Sequence, residues 1–219
     1  MNNLKIKNFK DISDVVVPEE FIKIWEDVSL GVQENKARGH NLSEATAQKC
    51  FAELCKRPYY LVEIAKAVGA KNFAEVGTAQ GLQYFSFAEL AKSSDGHVWS
   101  CDIVDSRNKD YIKKYSKQTT FCSGDSRALA KMILKSGEKI DMFYIDGAHD
   151  HGDVVRDVIS LRECQSDNPV WVFDDYDERF GCYRDITRLI EDKPDVKIYR
   201  VGNAASGNPN HQVIVRGKY

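Results

Sequence analysis

The sequence of 219 residues predicts an α/β protein built around an open, mostly parallel sheet of seven strands with helices on both faces. From residue 72 onward, short apolar runs alternate with amphipathic stretches, a pattern typical of repeated strand–helix units. A glycine-containing turn follows the first apolar run directly. The last two apolar runs are joined by a polar loop without a helical pattern, which indicates a C-terminal antiparallel hairpin.

The first 57 residues are predicted to form a helical extension beside the main domain. Pro18 suits the first turn of a short apolar helix, and Pro58 separates the extension from a helix over residues 59–68. We expect the main domain to span residues 58–219. The extension could serve as a lid over a site or have a purely structural role.

The elements of the main domain follow from the same alternation of patterns. In open α/β sheets, ligands bind outside the carboxyl ends of the strands, so polar residues at those ends are the candidates for a functional site. The strands are expected at residues 72–76, 97–102, 119–122, 140–145, 169–173, 196–201 and 211–216, and the further helices at 80–92, 107–116, 126–136, 151–165 and 182–191.

Composition argues against several classes of function. The net charge is −2 and the isoelectric point is near 6.2, so no overall positive field attracts nucleic acid or an anionic membrane. No apolar run reaches the roughly 20 residues that cross a bilayer. The N-terminus lacks the apolar stretch of a signal peptide, which makes the cytoplasm the expected location. None of the six cysteines forms a C-x-x-C pair, so we expect buried free thiols rather than zinc sites or disulfides.

The turn after the first strand reads Phe73-Ala-Glu-Val-Gly-Thr-Ala-Gln-Gly81. Its glycines allow a sharp turn and a close approach of the backbone to a ligand, and the N–H groups of the following helix attract polar or anionic groups. The G-x-x-x-G spacing differs from the G-x-G-x-x-G of dinucleotide-binding folds. With an acidic residue before it, the segment resembles motif I of class I S-adenosylmethionine (SAM) methyltransferases, which have a Rossmann-like sheet. The resemblance implies cofactor contacts from Glu75, Gly77, Thr78, Ala79 and Gly81.

Two further strand ends supply candidate cofactor ligands. Asp102 ends the second strand, where a carboxylate can accept both hydrogen bonds of a ribose diol. It could instead be a turn residue that caps the next helix, and Asp105 is the alternative ribose ligand. After the third strand, Asp125 or Ser126 can cap the helix that begins there. The methyltransferase resemblance places this same position beside the adenine of SAM.

Acidic residues also follow the fourth and fifth strands. Asp146 ends the fourth strand, and Asp174 and Asp175 end the fifth. Carboxylates at neighbouring strand ends repel one another unless a positive charge lies between them. A hard divalent cation such as Mg²⁺ or Mn²⁺ suits an all-oxygen ligand set. The alternative is that Asp174 and Asp175 cap the following helix and that Asp146 is a turn residue.

These two strand ends carry a more specific resemblance. The segments Ile145-Asp-Gly-Ala-His-Asp and Phe173-Asp-Asp-Tyr are similar to the cation-dependent O-methyltransferases, above all the branch that modifies sugar hydroxyls of glycosides and macrolides. The similarity extends from about residue 59 to residue 219. The catechol-type branch usually has Asn and Lys where this chain has Asp175 and His149, so a catechol acceptor is disfavoured.

The resemblance implies that Asp146, Asp174 and Asp175 bind the metal, that Asp146 also lies at the cofactor, and that His149 is the general base. A neutral imidazole can accept the proton of a hydroxyl group. His149 could alternatively cap an element or support the ligands, with Asp150 or hydroxide removing the proton.

Together, these observations predict a SAM- and divalent-metal-dependent O-methyltransferase that modifies a hydroxyl of a small molecule, a sugar or glycoside, with Mg²⁺ or Mn²⁺ as the cation. One alternative is a metal-independent SAM methyltransferase that acts on nitrogen or a carboxylate. The other is a SAM-binding module without catalysis. Neither nucleic acid nor a membrane is an expected partner, and assembly into a homo-oligomer is left open.

Overall fold

Seven strands pair into one sheet in this computed structural model, which describes residues 15–28, 56–203 and 209–219. The strands are β1 (Asn72–Val76), β2 (His97–Asp102), β3 (Thr119–Ser123), β4 (Ile140–Ile145), β5 (Gln165–Phe173), β6 (Val196–Asn203) and β7 (Pro209–Arg216). They lie in the order β3-β2-β1-β4-β5-β7-β6. Strands β1 to β5 are parallel, whereas β7 pairs antiparallel with both β5 and β6. The predicted fold class, with its C-terminal hairpin, is confirmed.

The described residues contain seven α-helices and a short 3₁₀ helix. They are α1 (Glu19–Val28), α2 (Lys56–Val68), α3 (Leu82–Ser94), α4 (Lys109–Lys114), α5 (Ser126–Ser136), α6 (Asp153–Leu161), the 3₁₀ helix Arg162–Cys164 and α7 (Tyr183–Ile190). The helix predicted over 151–165 ends early, because β5 already begins at Gln165 and pairs there with Ile140 of β4.

Helix α2 begins at Lys56 rather than at residue 59. Pro58 therefore lies inside its first turn instead of separating two segments. A proline is tolerated there because the N–H group that it lacks would have no acceptor within the helix. The earlier start gives Arg57 a fixed helical position, which matters for the site described below.

Two hydrophobic cores cover the two faces of the sheet, as the alternation of side chains along each strand requires. In β1, Phe73 belongs to the core that contains α2 and α3, and Ala74 belongs to the core that contains α5 and α6. Both residues are fully buried. The inner parallel strands β1, β2 and β4 are buried on both faces, and this fixes the positions of their carboxyl ends.

Helix α1 packs into the same core as α2 and α3. The ring of Phe21 lies 4.7 Å from the ring of Tyr59, and the hydroxyl of Tyr111 donates a 2.8 Å hydrogen bond to Asp27. The described part of the N-terminal segment is thus attached to the main domain. Most of the predicted extension lies outside the described residues, and its role as a lid stays a prediction.

Four cysteines, Cys101, Cys122, Cys164 and Cys182, are buried free thiols, which agrees with the expectation from the sequence. The other two cysteines lie outside the described residues. Among the helices that the structure describes, none is long and apolar enough to span a bilayer.

Candidate active site

The turn between β1 and α3 lies directly against the end of β4. Gly77 has a φ of +87°, and a Cβ atom placed on it would come within 1.9 Å of the carbonyl oxygen of Asp146. Gly81 has a φ of +94°, and a Cβ atom there would lie 2.6 Å from the ring of Phe85. Positive φ values and close neighbours both require glycine at these two positions. We refer to residues 77–81 as the glycine turn.

Glu75 supports the glycine turn from within the protein. Its side chain is buried and accepts a 2.7 Å hydrogen bond from the hydroxyl of Ser100, which lies in turn beside the hydroxyl of Thr78. Burial raises the pKa of Glu75 well above its ordinary value, although the hydrogen bond from Ser100 opposes this change. The predicted cofactor residues Glu75 and Thr78 are therefore close together, with Glu75 beneath the turn.

Asp102, at the end of β2, holds the glycine turn from the other side. Its Oδ2 accepts a 2.8 Å hydrogen bond from the backbone N–H of Ala79. Asp105 instead forms two 2.8 Å hydrogen bonds with the guanidinium of Arg107. Of the two acids considered as ribose ligands, Asp102 is thus the one that contacts the glycine turn.

The helix after β3 begins with a side-chain cap. Asp125 accepts hydrogen bonds from the backbone N–H groups of Arg127 and Ala128, both at 3.1 Å. Ser126 is buried, and its hydroxyl has no hydrogen-bond partner among the described residues. The predicted capping role belongs to Asp125, and both residues lie at the carboxyl end of the sheet.

Three acidic residues follow β4 and β5, and we call these residues, Asp146, Asp174 and Asp175, the acidic centre. The hydroxyl of Tyr144 lies 2.9 Å from Oδ2 of Asp146 and 3.0 Å from Oδ2 of Asp174. Because it has one proton, it can donate to one of these carboxylates at a time. Asp174 is buried, with 4% of its surface exposed, and its Oδ1 accepts a 3.2 Å hydrogen bond from the amide of Gln212.

A positive side chain lies between these two carboxylates. The guanidinium of Arg57 contacts Oδ2 of Asp174, lies 3.5 Å from Oδ2 of Asp146 and donates a 2.8 Å hydrogen bond to the hydroxyl of Tyr144. Burial opposes the charge of Arg57, but Tyr144 and Asp146 raise its pKa above the ordinary value. Burial also raises the pKa of Asp146, to about 6, although Arg57 lowers it.

Asp175 pairs with His149. Its Oδ2 lies 2.8 Å from Nδ1 of the imidazole. This hydrogen bond is the largest influence that raises the pKa of His149, to about 10. Asp175 has a φ of +52°, an uncommon backbone conformation for a residue other than glycine. Such conformations are concentrated at functional sites, where the surrounding structure maintains them.

The structure brings Asp146, His149 and Asp175 together, with one potential ligand atom from each within 4.8 Å of the others. It does not place all three predicted aspartates around one position that a cation could occupy, because the carboxylate of Asp174 is paired with Arg57. Neither Arg57 nor Tyr144 is among the site residues predicted from the sequence. Tyr144 could have been found, since it lies two residues before Asp146 on the same side of β4. Nothing in the sequence around Arg57 indicates its role.

An open groove of about 690 Å³ runs beside this site along the loop between β5 and α7. The ring of Phe180 lies 5.4 Å from the ring of His149, so the groove lies beside the histidine that pairs with Asp175. The groove is lined by aromatic and charged residues: His151, Glu178, Arg179, Phe180, Gly181, Tyr183, Arg184 and Arg188.

Comparison with known proteins agrees with this architecture. Residues 74–176 match the sequence family described as "Methyltransferase domain". The structure is similar to that of an O-methyltransferase from Bacillus cereus in complex with S-adenosylhomocysteine, at 18% identity and a TM-score of 0.63, with 93% of this chain and 94% of that chain covered. No curated protein matches the sequence.

Two other solved structures have the same fold. The O-methyltransferase TomG from Streptomyces achromogenes, involved in tomaymycin synthesis and solved with SAM, matches at 14% identity and a TM-score of 0.64, covering 93% of this chain and 92% of that chain. An rRNA methylase from Streptococcus thermophilus matches at 13% identity and a TM-score of 0.53, covering 74% of this chain and 96% of that chain.

The fold is that of solved class I methyltransferases, and residues 74–176 match a methyltransferase domain.

The close contact between the glycine turn and β4 gives a first prediction. Gly77→Ala should lower both the melting temperature and SAM affinity, because the added Cβ atom collides with the backbone of Asp146. Gly137→Ala is the matched control. Gly137 has a φ of +78° but no atom within 4 Å of the added Cβ, so only the conformational cost of about 1–2 kcal/mol remains. Thermal denaturation and calorimetric titration with S-adenosylhomocysteine measure both effects. Equal results for the two variants would contradict the proposed contact.

Proposed function

We propose that this methyltransferase transfers the methyl group of SAM to a hydroxyl of a small molecule, a sugar or glycoside, at a centre that also binds a divalent cation. The observation that carries the proposal is the pairing of His149 with Asp175 beside Asp146. Asp146 in turn touches the glycine turn. A proton-accepting group and the expected cofactor turn are therefore adjacent, as methylation of a hydroxyl requires.

In the proposed reaction, Asp175 orients the imidazole of His149 through Nδ1. In the neutral form of His149, the ring proton is on Nδ1 toward Asp175, so Nε2 is free to accept the proton of the acceptor hydroxyl. An aliphatic hydroxyl is a weak nucleophile until this proton leaves. The glycine turn and Asp102 hold the cofactor, so that the oxygen and the methyl group can meet in line.

Part of the acidic centre fits a divalent cation. Asp146 and Asp175 provide two carboxylates beside His149, with one potential ligand atom of each of the three residues within 4.8 Å of the others. Two carboxylates suit Mg²⁺ or Mn²⁺ when waters complete the ligand set. A divalent cation, when bound, supplies positive charge that lowers the pKa of an acceptor hydroxyl. In the present arrangement Asp174 does not fit this set, because its carboxylate is held by Arg57, Tyr144 and Gln212.

The groove beside His149 is the proposed place for the acceptor. Phe180 and Tyr183 offer aromatic faces for a sugar ring, and Arg184 and Arg188 offer donors to its oxygens or to an acidic substituent. The neighbour involved in tomaymycin synthesis is consistent with a small-molecule acceptor. An rRNA methylase has the same fold, but the net charge of −2 disfavours a nucleic acid acceptor. We place the enzyme in the cytoplasm and leave homo-oligomers open.

Arg57 favours a second candidate function. A guanidinium between Asp146 and Asp174 provides positive charge without a metal. A metal-independent methyltransferase that acts on nitrogen or a carboxylate would use such an arrangement. The two candidates differ in their response to a chelator and in the acceptor that they methylate.

Methyl transfer to a panel of sugars and glycosides should release S-adenosylhomocysteine in the presence of Mg²⁺ or Mn²⁺ and should stop in EDTA. His149→Ala should lower kcat by about 10²–10⁴-fold, the usual loss for a general base, with SAM affinity nearly unchanged. Asp167→Asn is a matched surface control, since Asp167 pairs only with an exposed lysine in the described structure. Full activity in EDTA would contradict the cation requirement, and metal-independent methylation of nitrogen or carboxylate acceptors alone would favour the second candidate. A fully active His149→Ala variant would remove the base role.

The pH dependence provides an independent prediction. Because the pKa of His149 is raised to about 10, its proton-accepting form increases as the pH rises, and kcat should increase into the alkaline range. Asp175→Asn removes the negative partner, so the pKa of His149 should fall toward the ordinary value of about 6.5. NMR of the imidazole resonances measures this pKa directly in both proteins. An unchanged pKa in the variant would show that Asp175 does not control His149.

A further inference from the structure

We infer that Arg57 withholds Asp174 from the cation, so that the cation site of this chain uses two carboxylates, Asp146 and Asp175, and has a correspondingly low affinity. The inference deepens the proposed function and rests on it. It departs from the trio of aspartates that the sequence predicts. The physical basis is that one buried carboxylate cannot at the same time form a close ion pair with a guanidinium and coordinate a metal through the same oxygen.

The surroundings of Asp174 leave little room for a metal. Its Oδ2 contacts Arg57 and the hydroxyl of Tyr144, and its Oδ1 accepts from Gln212. Its backbone N–H donates a 3.0 Å hydrogen bond to the carbonyl of Ile145, which fixes the start of the loop. Both carboxylate oxygens therefore already have partners, and the residue is 4% exposed.

The position of Arg57 is equally fixed. It lies in the first turn of α2, and the next turns of this helix are anchored in the hydrophobic core by Tyr60, Leu61 and Ile64. The side chain of Arg57 is 25% exposed. Moving its guanidinium away would leave Asp174 as a buried and uncompensated charge, which is strongly unfavourable. The ion pair is thus a stable part of the folded site.

Asp175 is oriented differently from Asp174. The left-handed backbone conformation at Asp175 directs its carboxylate to His149. Only the oxygens of Asp146 and Asp175, with the imidazole of His149, form the group of potential ligand atoms within 4.8 Å in the described residues. The two adjacent aspartates therefore have separate roles, one toward Arg57 and one toward the cation.

A double-mutant cycle on Arg57 and Asp174 tests the inference through Mn²⁺ affinity, measured by titration of the full-length protein with S-adenosylhomocysteine bound. Arg57→Met should raise the affinity for Mn²⁺ by about 10-fold or more, because it frees a third carboxylate. Asp174→Asn alone should change the affinity by less than about two-fold. In the Arg57→Met background, the same substitution should remove the gain, and this non-additivity identifies the interaction.

Two controls keep the test decisive. Arg57→Lys retains the positive charge and should give no gain, and Arg156→Met removes an exposed arginine that pairs with Asp153 and should also give none. Stability is a second readout, since Mn²⁺ should raise the melting temperature of Arg57→Met more than that of the wild type.

Three results would overturn the inference. They are an unchanged or lower Mn²⁺ affinity in Arg57→Met, a loss of 10-fold or more in Asp174→Asn, and additive effects in the double variant. Absence of Mn²⁺ binding by the wild type alone would count against the metal in the proposed function, whereas a gain in Arg57→Met under the same conditions would still support the inference. The two failures are therefore distinguishable.

Discussion

The ion pair between Arg57 and Asp174 is the interaction on which the arrangement of the site depends. Strands β4 and β5 are neighbours in the middle of the sheet, so side chains that follow them are forced into the same region. A buried carboxylate without a partner lowers the free energy of unfolding by an amount on the order of several kcal/mol. Arg57 supplies the missing charge from α2, and Tyr144 connects Asp174 to Asp146. The acids can therefore coexist in the fold without any added ion.

The glycine turn and the acidic centre are connected through backbone contacts. Gly77 contacts the backbone of Asp146, and the N–H group of Asp146 donates a 2.9 Å hydrogen bond to the carbonyl of Val76. Glu75 supports the turn from below, and Asp102 holds it from β2. The position of the glycine turn is therefore set by the same backbone atoms that position Asp146. This coupling places the candidate site at the carboxyl ends of the central strands.

Much of this could be predicted from the sequence because local patterns determine it. The order of strands and helices follows from their apolar periods, and the glycine turn and the cap at Asp125 follow from backbone sterics and hydrogen bonding. The separate roles of Asp174 and Asp175 could not be predicted, because they depend on a left-handed backbone angle. Arg57 could not be predicted either, since it approaches Tyr144 from 87 positions earlier in the chain. A contact between distant segments leaves no periodic signal.

A crystal structure of the protein with S-adenosylhomocysteine and Mn²⁺ would show whether Arg57 keeps Asp174 from the cation. Anomalous scattering locates the cation independently of the protein atoms. We expect a manganese peak bounded by Asp146 and Asp175, with the cofactor against the glycine turn and Arg57 still paired with Asp174. A peak coordinated by Asp174 with Arg57 withdrawn, or cofactor bound away from Gly77, would contradict it.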